Sequence, residues 1–152
     1  MIKIRTIKNT DFPQISQIEF ESFSDPYPLH LFQYLAHTEP ALFLVAVEDE
    51  KLLGYIIGET EQRVGTLVGH LLSLAVRQEK RRKGIGRQLI EALIEILKKQ
   101  GCRKLVLEVR VSNYSAKVFY QKQGFREIRR SSKYYDNGED ALIMELNLEE
   151  RL

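Results

Sequence analysis

Residues 81–86 read Arg-Arg-Lys-Gly-Ile-Gly, between a β-rich run at 67–76 and a strongly helical run at 87–100. A strand, a basic glycine turn and a helix start, in that order, restrict the chain to an α/β arrangement and form a cradle for phosphate. The first N–H groups of the helix and the positive end of its dipole face the anion, and glycine lets the backbone approach closely. The turn has neither the GxxxxGK[ST] spacing of a P-loop nor the GxGxxG spacing of a dinucleotide fingerprint. Taken alone, it reads equally as a tight turn with a solvated basic face.

The rest of the composition narrows the class. A chain of 152 residues fits one domain, expected here over residues 1–152, with room for one core. A net charge of only +2 gives no bulk case for nucleic acid, and the basic residues cluster at one turn without interleaved aromatics. The single cysteine, Cys102, excludes an internal disulfide and a Cys-rich zinc site, and no metal is expected. It is expected to be a small, shielded side chain at a helix-to-strand joint. Residues 1–5 lack the apolar core of a signal peptide, and no apolar run is long enough to cross a bilayer. The expectation is a cytoplasmic protein with no membrane partner.

Periodicity supplies the elements. A first strand at 2–6 is followed by a helix that Thr10 and Asp11 cap, with Pro13 in its first turn. The segment Ser24-Asp25-Pro26-Tyr27-Pro28 breaks that helix, and a short one follows at 29–36. Strands at 42–47 and 52–59 form a hairpin around a charged turn, and a third strand spans 65–77. The helix beginning at Ile85 carries Ile85, Leu89, Leu93, Ile96 and Leu97 on one stripe and ends at Gly101. A strand at 105–110, a helix capped by Ser112 or Asn113 and stopped by Gly124, and strands at 125–131 and 141–148 complete the order β-α-α-β-β-β-α-β-α-β-β. That order predicts an α/β sandwich with a mixed central sheet flanked by helices.

Several residues stand out against these elements. Glu108 lies on a strand position where alternation favours an apolar residue, so it is either a salt-bridged edge carboxylate or a general base. His70, inside an apolar strand, reads as a satisfied structural histidine. Tyr120 reads as an aromatic packed on the sheet beside Phe119, the better core candidate, and Asn113 reads as a helix cap. Tyr27 and the pair Tyr134–Tyr135 are aromatics near turns.

The segments GHLLSLAV (69–76), RRKGIG (81–86), LEVRVSN (107–113), FYQKQGF (119–125) and YYDNGEDA (134–141), in this order, resemble the GCN5-related N-acetyltransferase (GNAT) superfamily. The likeness spans essentially the whole chain and is greatest to protein N-terminal acetyltransferases, including the type that acetylates a ribosomal-protein alanine. It implies the GNAT fold, with strands splayed at the acetyl-CoA site. The acetyl-CoA pattern Q/R-x-x-G-x-G/A matches Arg81, Gly84 and Gly86. The resemblance therefore implies cofactor contacts from Leu74, Ala75 and Val76, from Arg81, Arg82, Lys83, Gly84, Ile85, Gly86 and Arg87, and from Asn113 and Tyr120. It also implies Glu108 as the base acting through water, Tyr120 as the acid toward sulfur, His70 as a partner in deprotonation, and Tyr27, Tyr134 and Tyr135 around the peptide entrance. Asp25 stands where some relatives carry glutamate, a departure that leaves the preferred peptide N-terminus open.

An α-amine near pKa ~7.8 loses its proton about 3.5 kcal/mol more cheaply than a lysine near ~10.4, which suits a single carboxylate acting through water. The implied reaction is acetyl transfer from acetyl-CoA to a protein or peptide N-terminus, a ribosomal protein being one such acceptor, by direct attack in a ternary complex. The alternatives are a lysine or small-molecule amine as acceptor, or a non-catalytic CoA-binding domain.

Overall fold

The computed structural model describes residues 1–149. Its elements run β1 (Lys3–Thr6), α1 (Phe12–Ser22), α2 (Leu29–Thr38), β2 (Phe43–Glu48), β3 (Lys51–Arg63), β4 (Thr66–Val76), α3 (Ile85–Lys99), β5 (Lys104–Arg110), α4 (Tyr114–Lys122), β6 (Arg126–Ser131) and β7 (Ala141–Asn147). This is the order that periodicity predicts. The seven strands form one mixed sheet in the order β1-β2-β3-β4-β5-β7-β6. β4 and β5 pair in parallel, while β1–β2, β2–β3, β5–β7 and β6–β7 are antiparallel. No helix among the described residues is long and apolar enough to cross a membrane.

The chain forms two compact units. The first comprises Met1–Glu59 and Leu71–Lys99, and the second comprises residues 60–70 and the described chain from Gln100 onward. In the first, Ile15 and Ile18 of α1, Phe32 of α2, Phe43 and Val45 of β2 and Tyr55 and Ile57 of β3 make a closed core. The Phe32 ring meets Tyr55 edge-on at 5.7 Å, a preferred aromatic geometry. Helix α3 buries Ile85, Leu89, Ile90, Leu93, Ile94 and Leu97, so Ile90 and Ile94 widen the expected row, while Ile96, also expected on it, is only half-buried. The hairpin turn between β2 and β3 puts Asp49 and Glu50 at φ 52° and 67°. That left-handed pair suits the twist of a two-residue hairpin loop.

Two expectations are corrected here. Asp11 does not cap α1 with its side chain. Its buried carboxylate instead accepts both guanidinium nitrogens of Arg5 at 2.8 and 2.9 Å and the Lys8 N–H at 2.7 Å. The charge-assisted pair outcompetes the cap because a fork-shaped guanidinium satisfies both carboxylate oxygens. β3 continues to Arg63, beyond the expected end at residue 59, because polar residues on an exposed strand end carry no hydrophobic alternation to read.

In the second unit Leu105, Leu107 and Val109 of β5 are buried, and β5 pairs along its whole length with β7. Cys102 is buried, and Gly101 takes φ 90° just after α3, as a helix-ending glycine does. Phe119 is only half-buried, as is every apolar side chain of α4 apart from the exposed Tyr114. The core contact expected of it falls to Phe125, which is 3% exposed.

A Cβ on Gly54 of β3 would sit 2.7 Å from the Ala75 carbonyl oxygen. Gly54→Ala should therefore cost about 1–3 kcal/mol of stability through backbone displacement, read as a lower melting temperature. Burial alone would raise the Asp11 carboxyl, but Arg5 and the Lys8 N–H outweigh it and hold it below its ordinary value. With the folded value depressed, the stabilisation is present above the unfolded carboxylate value near ~3.9 and is lost as pH falls through the folded one. Asp11→Asn should destabilise by about 2 kcal/mol at neutral pH. In denaturant titrations the gap between variant and wild type should close on acidification below about pH 4.

Candidate active site

The expected site residues fall in two sets, one in each unit. In the first, β4 alternates, with Leu71, Ser73 and Ala75 buried and Leu72, Leu74 and Val76 half-buried. Arg77 follows at 5% exposure. Its guanidinium donates to the Leu52 carbonyl, to Gln17 Oε1 at 3.2 Å and to Gln14 Oε1 at 3.1 Å. A buried cation tied on three sides gives the turn that follows a rigid base.

Arg81 turns back onto its own strand. Nε donates to the Val76 carbonyl at 3.0 Å and a terminal nitrogen donates to Ser22 Oγ at 3.2 Å. Its charge therefore closes the turn, and Arg82, Lys83 and Arg87 are the exposed cations around it. Arg82 and Gly84 take φ 63° and 81°, a conformation glycine adopts without strain and one that aims successive N–H groups outward. The first intrahelical bond of α3 runs from Gln88 N–H to the Gly84 carbonyl at 3.0 Å. The N–H groups of Ile85, Gly86 and Arg87 thus precede the helical ladder and suit an anion. Tyr27, in the same unit, is 43% exposed and packs edge-on against Phe32 at 6.1 Å.

The second set centres on His70 and Glu108. The β4–β5 ladder pairs Val68 with Lys104, Gly69 with Leu105 and His70 with Val106. Glu108 lies two residues beyond Val106, on the same face of β5. His70 Nε2 stands 2.7 Å from Glu108 Oε1. With the carboxylate ionised, Nε2 carries the hydrogen and donates it. The side chains are only 15% and 19% exposed. On the other side of the ring, Nδ1 lies 3.4 Å from Glu61 Oε1. Arg63 hydrogen bonds hold the Glu61 carboxyl below its usual range.

Tyr120 on α4 packs between Phe119 at 5.3 Å and Phe125 at 5.5 Å. Burial first, and the neighbouring Tyr135 second, push its phenol well above the ordinary value. Asn113 caps α4, its Oδ1 accepting the Ala116 N–H at 3.2 Å and the Ser115 hydroxyl at 3.3 Å. The Tyr134 and Tyr135 rings stack edge-on at 5.0 Å, and the Arg110 guanidinium lies 4.0 Å over the Tyr135 ring, a cation–π contact. Glu139 accepts from Arg110 at 3.3 Å and from the Ser112 N–H at 2.9 Å, tying this loop to the end of β5.

Sequence reasoning passed over Glu61, Arg110 and Glu139, whose partners are set by strand register and loop return rather than by local pattern. It also passed over Glu19, which did leave a signal. Glu19 follows Ile15 by four residues and Ile18 by one, so a carboxylate sits on the buried stripe of α1.

A basic turn at a helix N-terminus and a hydrogen-bonded acid–imidazole pair on parallel strands are parts of an acyl-transfer enzyme. The chain belongs to the acetyltransferase (GNAT) family, whose model matches residues 10–125, and is an acetyl-CoA-dependent N-acetyltransferase. It is 37% identical to an N-alpha-acetyltransferase of Sulfurisphaera tokodaii, over 93% of this chain and 90% of that one. Among solved structures it resembles the ribosomal-protein-S18-alanine N-acetyltransferase of Escherichia coli, at 32% identity and a TM-score of 0.82, covering 97% of this chain and 94% of that chain. It also resembles a chain of the NatC complex bound to Gag peptide and CoA, at 26% identity and a TM-score of 0.87, covering 96% and 98%.

The raised phenol of Tyr120 has an optical consequence. Ordinary tyrosines ionise near ~10, so Tyr120→Phe should leave the phenolate absorbance gained up to about pH 11 unchanged. A loss of one tyrosine's worth of signal below that pH would show an ordinary phenol instead.

Proposed function

We propose that the chain transfers the acetyl group of acetyl-CoA to the N-terminal α-amine of a protein or peptide, directly and without an acetyl-enzyme. The observation that carries this reading is the 2.7 Å contact between His70 and Glu108 on paired parallel strands. It holds a carboxylate in a fixed orientation to take a proton, and an α-amine gives up its proton more readily than a lysine does. The N-alpha-acetyltransferase relative and the peptide-bound and S18-alanine structures support the same acceptor class. A ribosomal protein is one such acceptor. Cys102 is buried and lies outside both sets of residues, so it is not assigned as a nucleophile.

Acetyl-CoA supplies the acetyl group as an activated thioester. The N–H groups of Gly84, Ile85 and Gly86, with Arg82, Lys83 and Arg87, would hold its pyrophosphate. The half-buried residues Leu74 and Val76, with Ala75 between them, would carry the acetyl arm along β4, and Asn113 and Tyr120 would complete the contacts. Glu108 takes the proton from the acceptor ammonium, directly or through water, and His70 orients the carboxylate by its hydrogen bond. The freed amine forms the new C–N bond to the acetyl carbon as the C–S bond breaks, and the second proton leaving its nitrogen passes through water to the departing thiolate, so that the products are the amide and the CoA thiol. Tyr120 donates its hydroxyl hydrogen toward the departing sulfur. A phenol raised above ~10 sits well above a thiol near ~8.5, so Tyr120 stabilises the thiolate as a hydrogen-bond donor and keeps its proton at equilibrium. We thus propose a hydrogen-bond donor where the family resemblance implies a full proton donor. Tyr27, Tyr134 and Tyr135 would contact the acceptor peptide through exposed rings with polar tips.

Glu108→Gln should lower kcat by about 10²–10⁴-fold, and Tyr120→Phe should lower it by a smaller factor. Calorimetry should find acetyl-CoA affinity within a few-fold of wild type for both. An acetylation assay over a library of peptide N-termini, read by mass spectrometry, tests the acceptor. Product found only on lysine side chains, or none from any peptide, would overturn the reading.

A further inference from the structure

Helix α1 carries a buried carboxylate that the chemistry above does not use. Glu19 is 2% exposed. Its Oε1 accepts the Tyr55 hydroxyl of β3, which in turn lies 3.1 Å from Ser73 Oγ of β4. Its Oε2 accepts the backbone N–H of Tyr27 at 2.9 Å. Burial, opposed by the hydrogen bonds from Tyr55 and Tyr27, leaves the carboxyl above its ordinary value.

The choice of Tyr27 follows from the sequence. Residues 26–28 read Pro-Tyr-Pro, and proline has no N–H, so Tyr27 offers the one backbone donor of the three. The residue before a proline is confined to extended conformations, and Pro28 itself sits at φ −70° and ψ 152°. The segment is thus stiff, and a single hydrogen bond to a fixed acceptor sets its position. That acceptor is fixed, because Tyr55 of β3 holds it and the Tyr55 hydroxyl is in turn held by Ser73 of β4. An unpaired buried carboxylate would be costly, which is why evolution of a core at this position would ordinarily favour an apolar residue.

We propose that Glu19 is a positioning residue for the acceptor: by holding the Tyr27 amide it places the Tyr27 ring where the peptide N-terminus binds. This rests on the reading of Tyr27 as an acceptor contact. Glu19 touches neither substrate, so its loss acts on peptide binding and leaves the pyrophosphate turn unchanged.

The test is steady-state kinetics of the full chain with a peptide that the wild type acetylates at its N-terminus, varying each substrate in turn. The variants are Glu19→Ala, Glu19→Gln, Tyr27→Ala and the core control Ile15→Val. Glu19→Ala should raise the peptide KM by about tenfold and keep the acetyl-CoA KM within about twofold. Glu19→Gln, which retains an acceptor oxygen of the same reach, should recover part of that loss. Ile15→Val should lower the melting temperature with both KM values unchanged. If Glu19→Ala does not fold, Glu19→Gln decides, with an expected rise of about threefold in peptide KM alone. A rise with Tyr27→Ala but none with either Glu19 variant, or equal rises in both KM values, overturns the role of Glu19. No rise with Tyr27→Ala, or no acetylation of any peptide N-terminus by the wild type, overturns the acceptor reading together with it.

Discussion

Helix α1 is held by two buried charges of opposite sign, and the functional segments of its unit depend on them. Arg77 reaches Gln14 and Gln17 from the end of β4, and Glu19 reaches Tyr55 and the Tyr27 amide from the helix itself. Burying a charge is unfavourable unless every donor or acceptor finds a partner. Each contact is therefore strict about geometry in a way that apolar packing is not. The helix cannot slide or rotate without leaving one charge unpaired. The turn that starts after Arg77 and the loop that contains Tyr27 take their positions from the same constraint.

The second unit depends on register. His70 faces Val106 across the parallel β4–β5 pairing, and Glu108 follows two residues later on the same side. A slip of one residue would turn Glu108 toward the face of Leu107 and Val109, both buried. The register of β5, paired along its length with β7, thus sets the acid–imidazole pair, with Val106 buried beneath it on the same face. The same strand ends at Arg110, whose guanidinium covers the Tyr135 ring and meets Glu139. One short strand therefore sets the proposed base and ties down the tyrosine loop.

Much of this was legible beforehand where physics is local. The 3.6-residue stripe of α3, the alternation in β5, Gly101 ending α3 and Asn113 capping α4 are decided by neighbours in sequence and stand where expected, save that Ile90 and Ile94 join the α3 stripe and Ile96 is only half-buried. The basic turn at 81–86 was visible for the same reason. The reading failed where the folded chain, and not the adjacent residues, sets a side chain's partner or face. Asp11 was expected to cap α1, yet it binds Arg5, because a nearby guanidinium satisfies a carboxylate better than a single N–H does. Phe119 was expected in the core and is half-buried, since residue type alone does not say which face of α4 meets the sheet.

The sequence by itself determined the order of the elements, the basic glycine turn and the family, because these reside in short-range periodicity, glycine positions and contiguous motifs. Only the tertiary structure decided which polar side chains meet. It joined His70 to Glu108 across 38 residues of chain and Glu19 to Tyr55 across 36. It also folded Arg81 back onto the Val76 carbonyl, so that this cation closes the turn while Arg82, Lys83 and Arg87 stay exposed around it. Strand register and burial settle such pairings, and both are properties of the assembled sheet that no local window of residues contains.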